Sequence, residues 1–282
     1  MHSCPQPGRS SGPARSRQPR LAAGRARAIG LPTRGTTNPN RLRRMDNWIA
    51  VTQAGRLRAD RGNALVIDLG FGDSPVTSVE LLHRLLPVRA DVEVLGLELD
   101  PDRVARATPA SRPGLRFQRG GFELAGYRPM LVRAANVLRQ YPEQEVAGAW
   151  QRMCGQLAFG GAVIEGTSDE WGRRASWVLL ERDGPVSLTL SCRPAQLVRP
   201  SDVADRLVKA LIHHNVPGTS IHALLRAMDS AWDRHAPLAG YGNRQRWQAM
   251  CAELAADWPV LSTAGRHRFG ELTVAWPAVA PG

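Results

Sequence analysis

A short glycine-rich stretch decides the fold. It reads Asp68-Leu69-Gly70-Phe71-Gly72-Asp73-Ser74-Pro75 and follows a continuous apolar run at 64–69. The two glycines let the backbone adopt turn angles that other residues avoid and pass close to a ligand. Ser74 and Pro75 suit the N-cap and the first position of a helix. The stretch therefore predicts a strand, a tight turn and a helix, with a nucleotide-type ligand at the carboxyl end of the strand.

Strand-like and helix-like segments alternate on either side of this turn. The predicted strands are 64–69, 92–99, 115–118, 130–135 and 162–165, and the predicted helices are 76–86, one from 102 to 107, and 143–157. Strands that are apolar on both faces are typical of a parallel sheet covered by helices on both sides. The expected fold class is α/β, a Rossmann-like and mostly parallel sheet with helices on both faces.

The remaining segments complete the predicted organisation. An amphipathic helix at 41–57 precedes the sheet, and two strand-like runs, 175–180 and 186–191, flank a hairpin turn. The chain then becomes mostly helical and ends in a strand; the segments are 201–213, 220–232, 244–258 and 271–276. The domain boundaries predicted from these changes are a tail at 1–40, a helix at 41–60, a ligand-binding domain at 61–192 and a helical extension at 193–282. Little room is left for a helix between the fifth strand and the hairpin, so the topology after residue 166 stays open.

The positive charge is concentrated at one end. Of the net charge of +12, residues 1–45 supply +10 through ten arginines without an acidic residue, which leaves +2 for the other 237 residues. Within this region, residues 1–40 are expected to form a disordered tail, which is able to contact nucleic acid non-specifically. The chain has a single lysine, Lys209, so its many arginines are typical of a GC-rich genome. Arginine abundance by itself is therefore weak support for phosphate binding.

Several classes are excluded or disfavoured. The cysteines Cys4, Cys154, Cys192 and Cys251 form no CxxC pair, so neither a zinc site nor a disulfide framework is indicated. No apolar stretch approaches the ~20 residues of a membrane span, and the N-terminus lacks the apolar core of a secretory signal. The expected location is the cytoplasm.

The identity of the ligand depends on the acids around the turn. A dinucleotide fingerprint requires a third glycine where Pro75 stands, and Asp68 and Asp73 would repel a pyrophosphate. S-adenosylmethionine has no phosphate, and its ammonium and sulfonium groups can be attracted by a carboxylate such as Asp68. Glu98, at the end of the second strand, can accept hydrogen bonds from both ribose hydroxyls, and Leu99 can contact the adenine face.

These residues resemble the class I S-adenosylmethionine-dependent methyltransferases. The resemblance covers about 60–192 and rests on an acid-x-Gly-x-Gly-x-(Gly/Ser) pattern, a Gly-x-acid pair at Gly96 and Glu98, Asn136 after the fourth strand, and Gly160-Gly161 before the fifth. It implies in-line methyl transfer and a cofactor site formed by Asp68, Gly70, Gly72, Ser74, Glu98, Leu99 and Asn136. The chain departs from the family at Gly120-Gly121-Phe122, where an acid often holds the adenine amine.

The acceptor and the catalytic residues are less defined by the sequence. Asp169 and Glu170, beyond the fifth strand, are candidates for a general base, although a solvated loop explains them equally well. His213 is a further candidate, but its place near a helix end favours a capping role. The absence of a Pro-Pro-aromatic motif after the fourth strand and of a Pro-Cys pair disfavours methylation of adenine amines and cytosine C5. The acceptor is expected to be a small molecule or RNA.

Two alternatives remain open at the level of sequence. One is a non-catalytic cofactor-binding or interaction protein on the same fold, whose basic arm contacts nucleic acid. The other is an NAD-dependent oxidoreductase. The polar segment 34–44 is interpreted either as a lid or substrate arm, or as a basic linker with a turn at Asn38-Pro39.

Overall fold

A computed structural model describes residues 38–59 and 62–282. Most of the predicted arginine-rich tail, together with Cys4, lies outside the described residues. So does the end of the predicted 41–60 helix.

The described residues contain one eight-stranded sheet in the order β3-β2-β1-β4-β5-β6-β7-β8. The strands are β1 (Leu65–Leu69), β2 (Glu93–Glu98), β3 (Leu115–Arg119), β4 (Leu131–Ala135), β5 (Ala162–Ser168), β6 (Arg174–Glu181), β7 (Gly184–Cys192) and β8 (Glu271–Ala275). The first four neighbouring pairs are parallel and the last three are antiparallel. The predicted α/β fold class is confirmed. The chain reverses its direction of winding between β1 and β4, where open α/β sheets bind ligands.

Helices cover both faces of the sheet. They are α1 (Arg43–Thr52), α2 (Ala54–Ala59), α3 (Val76–Leu85), α4 (Pro101–Ala107), α5 (Val146–Gly155), α6 (Lys209–Ile212), α7 (Ser220–Arg234), α8 (Asn243–Leu254) and α9 (Ala264–His267). Side chains of α1 to α3 pack on one face, whereas α5, α7 and α8 pack on the other. Neighbouring side chains of β1 point to opposite faces of the sheet. Val66 packs in the apolar cluster that includes α1 to α3, and Ile67 packs in the cluster that includes α5, α7 and α8.

The topology after residue 166 is an antiparallel meander. A tight turn connects β5 directly to β6, a hairpin connects β6 to β7, and the final strand pairs with β7. The predicted final strand therefore joins the same sheet, and the helical extension packs into the same apolar cluster as α5. Among residues 38–59 and 62–282, no helix combines the length and apolarity required to cross a bilayer.

The prediction of a single helix at 201–213 is wrong. A 3-10 helix spans Pro200–Arg206, and the short α6 begins only at Lys209. The Ser176 hydroxyl donates to the carbonyl oxygen of Arg206 (2.6 Å), and the Thr167 hydroxyl to that of Leu207 (3.5 Å). Because these two strand side chains bind the carbonyls that would continue a helix, the chain breaks there and packs against β5 and β6.

Two other helix predictions are also revised. The helix predicted at 41–57 is divided, because α1 ends at Thr52 and α2 begins at Ala54. The Thr52 hydroxyl donates to the carbonyl of Trp48 (2.8 Å), a contact that commonly bends helices. The helix predicted at 143–157 begins as a 3-10 turn, Glu143–Glu145, and becomes α-helical from Val146.

Candidate functional site

One large cavity lies at the carboxyl ends of the parallel strands. Its volume is about 1230 Å³. The walls come from the glycine turn after β1, the end of β2, residues 120–123, the loop after β4, the turn after β5, and a C-terminal part between 192 and 206. The cavity thus lies across the switch point between β1 and β4, as the sequence predicts for the ligand site.

The glycine turn forms a fixed wall of this cavity. Gly70 (φ 69°) and Gly72 (φ 84°) both adopt left-handed backbone conformations, and the Gly70 amide donates to the carbonyl of Leu97 (2.7 Å). A Cβ on Gly70 would lie 2.7 Å from Val137 Cγ2, so the loop after β4 closely approaches the turn. Both glycines are therefore required by the local geometry.

An aromatic pair anchors the turn between the glycines. Phe71 is buried and packs edge to face on Phe117 with the ring centroids 5.1 Å apart. A Cβ on Gly96 would lie 2.6 Å from the Phe117 ring and 3.0 Å from Phe71. Gly96, which belongs to the Gly-x-acid pair in the sequence, thus makes room for this packing.

Glu98 links the end of β2 to the glycine turn. One carboxylate oxygen accepts from the Gly72 amide (3.0 Å) and the other from the Leu99 amide (2.9 Å), while Arg103 Nη1 lies 3.6 Å away. The carboxylate is buried but borders the cavity. The Asp100 amide also donates to Glu98 (3.5 Å). Because an ionised carboxylate has about four acceptor positions, Glu98 can still accept a hydrogen bond from a ligand hydroxyl. Leu99 also borders the cavity.

Asn136 holds the loop after β4 in place. It has a left-handed backbone (φ 62°), and its side-chain oxygen accepts from the Ser168 amide (3.0 Å). Its own amide donates to the carbonyl of Gly166 (2.6 Å). Asn136 borders the cavity, so it is placed where the sequence predicts a cofactor contact.

Asp68 lies in a buried ionic cluster that the sequence reasoning missed. Arg133 Nε donates to Asp68 Oδ1 (3.0 Å), Arg133 Nη2 lies 2.6 Å from Oδ2, and the Ser78 hydroxyl donates to Oδ2 (2.7 Å). On its other side Arg133 Nη1 donates to Asp46 Oδ1 (2.5 Å) of α1, and Arg84 Nη1 lies 3.3 Å from Asp46 Oδ2. Both oxygens of Asp68 are thus engaged within the protein, and the residue also borders the cavity.

The charges in this cluster depend on one another. Burial raises the pKa of Asp46 to about 6 against the opposing effect of Arg133 and Arg84. Burial also disfavours the charge on Arg133, but the carboxylates of Asp46 and Asp68 outweigh it and raise the pKa of Arg133. The guanidinium therefore stays charged between its two partners. An arginine within the apolar β4 was the sequence signal, since a buried cation requires a nearby acid.

Two predicted features of the turn change in the structure. Ser74 does not border the cavity; its hydroxyl oxygen accepts from the Val76 amide (3.4 Å) at the start of α3. Asp73 is paired with Arg106 (2.8 Å), as Asp68 is with Arg133. The predicted repulsion of a pyrophosphate by these two acids is therefore weaker than the sequence indicates.

The candidate bases differ in their positions. The Asp169 carboxylate accepts from the amides of Trp171 (3.1 Å), Arg173 (2.9 Å) and Arg174 (3.1 Å), so it organises the turn between β5 and β6. Glu170 is exposed and borders the cavity. His213 does not border it; its Nε2 lies 3.0 Å from Lys209 Nζ. The structure therefore brings Asp169 and Glu170, but not His213, to the site.

The segment before α1 forms part of the cavity wall. The Arg41 guanidinium donates to the carbonyls of Ser168 and Asp169 (both 3.1 Å), and Asn38 Nδ2 donates to the carbonyl of Glu170 (3.2 Å). Gly172 (φ 65°) permits the close approach, because a Cβ there would collide with the carbonyl of Arg41. The described part of the predicted lid or arm thus lies over the turn after β5.

Two further residues of the cavity escaped the sequence reasoning. Glu123, two positions beyond the Gly120-Gly121 pair, accepts from the Gly121 amide (2.7 Å) and supplies an acid near the place where the family pattern has one. Cys192 also borders the cavity, but burial raises its pKa to about 12, so it remains a thiol.

Comparisons with known proteins give likenesses of fold only. No family model matches the chain, and no curated protein matches it. Among solved structures, human N-acetylserotonin methyltransferase in complex with SAM is 16% identical, with 44% of this chain and 33% of that chain covered at a TM-score of 0.34. Magnesium protoporphyrin IX methyltransferase from Synechocystis PCC 6803 with bound SAH is 20% identical, with coverages of 47% and 61% and a TM-score of 0.33.

A structure described as a pericyclic reaction enzyme is 16% identical, with 41% of this chain and 30% of that chain covered at a TM-score of 0.35. In the first structures found, the part that matches this chain is about a third of their length. At such identities and TM-scores, the function has to be argued from the site itself.

Proposed function

We propose that this chain is an S-adenosylmethionine-dependent methyltransferase. The observation that carries the proposal is that one cavity is lined both by the glycine turn with the acid at the end of β2 and by residues 192–206 from the C-terminal part. Its volume of about 1230 Å³ exceeds the roughly 300–1,000 Å³ of a pocket for one small ligand. Cofactor and acceptor can therefore occupy it together.

The cofactor wall consists of Gly70, Gly72, Glu98 and Leu99. The left-handed glycines allow the methionine part of the cofactor to approach the backbone, and the Glu98 carboxylate accepts hydrogen bonds from the ribose hydroxyls. Leu99 contacts the adenine face, and Asn136 closes the site from the loop after β4. Asp68 is a positioning residue, because it holds the turn from below through Ser78 and Arg133. Ser74 contributes to the start of α3 and only indirectly to the cofactor.

The bound cofactor supplies a methyl group on a positively charged sulfur. Its methyl group would be transferred in line to an electron pair of the acceptor, with sulfur as the leaving group. The residues of this chain orient the acceptor in line with that bond and exclude water, which can supply a large part of the rate enhancement.

Proton transfer is assigned a minor role. The Asp169 carboxylate is occupied by three backbone amides and His213 lies away from the cavity, so Glu170 is the candidate with both access and a free carboxylate position. An acceptor that is already nucleophilic requires no base.

Cofactor choice is tested by calorimetry on the full chain with S-adenosylhomocysteine and NAD in parallel. We expect binding of S-adenosylhomocysteine and none of NAD; the reverse result identifies the oxidoreductase alternative. The measurement is decisive because the acids of the turn are paired with arginines, so their charge alone does not exclude a pyrophosphate.

Catalysis is tested with methyl-labelled S-adenosylmethionine and fractionated cell extract. We expect transfer of label by the wild-type protein and loss of transfer in Glu98→Gln. If the cofactor binds but no fraction becomes labelled, the chain is a non-catalytic cofactor-binding protein.

The acceptor belongs to this proposal as well. A methyl acceptor that is a small molecule fits an internal cavity better than RNA does. The predicted contact of the N-terminal tail with nucleic acid is tested by deleting residues 1–37 and measuring RNA affinity over a salt series. A role of the tail predicts loss of both the affinity and its salt dependence.

A further inference from the structure

Three arginines from separate segments border the same cavity as the cofactor wall, and the charge of one of them, Arg206, acts on the other two. Arg41 precedes α1, Arg139 lies in the 3-10 helix Leu138–Gln140 after β4, and Arg206 ends the 3-10 helix Pro200–Arg206. We call these three residues the arginine wall. Burial and the charge of Arg206 lower the pKa of Arg139. Burial also lowers the pKa of Arg41; Glu170 opposes this effect and Arg206 adds to it.

The arginine wall has more hydrogen-bond donors than acceptors. Arg139 Nη2 donates to the carbonyl of Asp205 (2.9 Å), but Arg139 Nη1 is shielded from solvent and has no hydrogen-bond partner among the described residues. Arg206 Nε is in the same state, with Asp205 Oδ2 at 3.4 Å as its ionic neighbour. Arg174 shares that carboxylate at 3.2 Å. One acid thus serves two guanidinium groups, and a shielded donor without a partner is destabilising.

The general abundance of arginine does not explain this arrangement. Many other arginines of the described residues have a carboxylate partner, as Arg116 does with Glu93 (2.9 Å) and Arg133 with Asp68 (2.6 Å). Arg139 and Arg206 instead border an internal cavity with donors left over. A ligand with several acceptor oxygens would satisfy these donors once the two partly exposed side chains turn them toward the cavity, and the planar guanidinium fork matches carboxylate and phosphate oxygens.

We propose that the arginine wall binds the anionic group, a carboxylate or a phosphate monoester, of a small-molecule methyl acceptor. This inference rests on the proposed methyltransferase function and adds the substrate class. Arg139 and Arg206 hold the anion and thereby place the acceptor's nucleophile opposite the cofactor wall. Trp171, which borders the same cavity and is 68% exposed, offers a flat apolar face for the rest of the acceptor. Only +2 of the net charge lies outside residues 1–45, which favours a small anion over a polynucleotide.

The test measures binding of three probes to the full chain by NMR titration, with and without S-adenosylhomocysteine. The probes are benzoate, phenyl phosphate and the neutral benzamide. We expect at least one anion to bind at least tenfold more tightly than benzamide, and its affinity to fall at least tenfold in both Arg139→Gln and Arg206→Gln. The preferred anion tells a carboxylate acceptor from a phosphate acceptor. Arg116→Gln, a surface arginine outside the cavity, is the matched control and should leave the affinity unchanged.

A second measurement tells the acceptor's anion from the cofactor's own carboxylate. The inference requires Arg139→Gln and Arg206→Gln to bind S-adenosylhomocysteine within twofold of wild type. If they lose it but still bind 5′-methylthioadenosine, which lacks the carboxylate, the arginine wall holds the cofactor and the inference is overturned.

Three other results would also overturn it: equal binding of benzamide, no binding of either anion to the wild-type protein, or competition of the anions by single-stranded RNA that depends on Arg139 and Arg206. Arginine-dependent anion binding without any binding of S-adenosylhomocysteine would instead keep the anion site and reject the methyltransferase. Equal unfolding midpoints of the variants and wild type show that the fold is retained.

Discussion

The cofactor wall and the arginine wall face the same cavity, but they differ in how their charged groups are paired. Around the cofactor wall, Glu98 accepts from three backbone amides, Asp68 is paired with Arg133, and Asp73 is paired with Arg106. In the arginine wall, Arg139 and Arg206 keep buried donors without acceptors. The acids of the first wall are thus paired within the protein, whereas in our proposal the second wall is completed by an anion. The proposal accordingly places a preformed cofactor site next to an acceptor site whose binding energy comes from charge.

The largest expected effect comes from breaking the support of the cofactor wall. Arg133→Met leaves Asp46 and Asp68 buried without their shared cation. We expect a loss of about 3–5 kcal/mol in the free energy of unfolding, measured by urea denaturation. Arg84→Met is the control, because Arg84 is partly exposed and contacts only Asp46 of this cluster, so its loss should stay below about 1 kcal/mol. A wild-type midpoint in Arg133→Met would show that the cluster does not support the turn.

The next effect concerns an acid that lacks such a cation. Glu165 of β5 is fully buried, and burial raises its pKa to about 8, with Trp150 opposing the shift. In the unfolded chain the carboxyl ionises near 4.5, so its contribution to stability is intact below that pH and is lost as the pH rises to about 8. Since one pKa unit corresponds to 1.36 kcal/mol, the loss should be about 2–4 kcal/mol.

Urea denaturation of Glu165→Gln at pH 5 and pH 8 checks this sign. The variant should lose less stability than wild type over this range. Glu181→Gln, which removes a partly exposed acid paired with Arg56, should behave like wild type. A variant with unchanged pH dependence would assign the effect to other groups.

A smaller effect is expected when a ligand contact of the cofactor wall is removed. Glu98→Gln keeps the shape but loses the charge that accepts ribose hydroxyl hydrogen bonds, so affinity for S-adenosylhomocysteine should fall about 10–30-fold, or roughly 1.4–2 kcal/mol. Glu93→Gln on the same strand is the control, because Glu93 is exposed and paired with Arg116. Calorimetry gives both affinities, and equal loss in the two variants would remove Glu98 from the site.

The smallest effect is expected at Ser74. Its hydroxyl lies at the start of α3 and not on the cavity, so Ser74→Ala should change the affinity for S-adenosylhomocysteine by less than about twofold, since only a weak 3.4 Å cap is lost. A tenfold loss by calorimetry would instead support the direct contact that the family pattern implies.

Local patterns made the fold and the cofactor wall predictable. The apolar runs, Gly70, Gly72 and the acid at the end of β2 are readable because strand, turn and acid lie within a short stretch of chain. The arginine within the apolar fourth strand, Arg133, was a sequence signal for a buried cation. Its partner in α1, Asp46, lies 87 positions away in the sequence. Such pairing depends on which helix covers which face of the sheet, and periodicity does not specify that.

The arginine wall and the break after Arg206 were beyond the sequence for a related reason. Arg41, Arg139 and Arg206 come from three segments that only the folded sheet brings together. The carbonyl of Arg206 is bound by Ser176, so a helical pattern at 201–213 is overridden by a strand that is distant in sequence. Tertiary contacts of this kind decide both the end of the helix and the placement of the guanidinium groups.

The last strand has a consequence for the order of events when the chain is made. β8 pairs with β7 across an intervening segment of mostly helical chain, and Arg44 Nη1, just before the buried stripe of α1, donates to the carbonyl of Phe269 (2.6 Å). Synthesis runs from the N-terminus at about 5–20 residues per second, so Arg44 can bind its partner only after Phe269 has left the ribosome. Before β8 is made, the outer edge of β7 lacks its pairing strand. The nascent chain therefore exposes a strand edge with which other chains can pair.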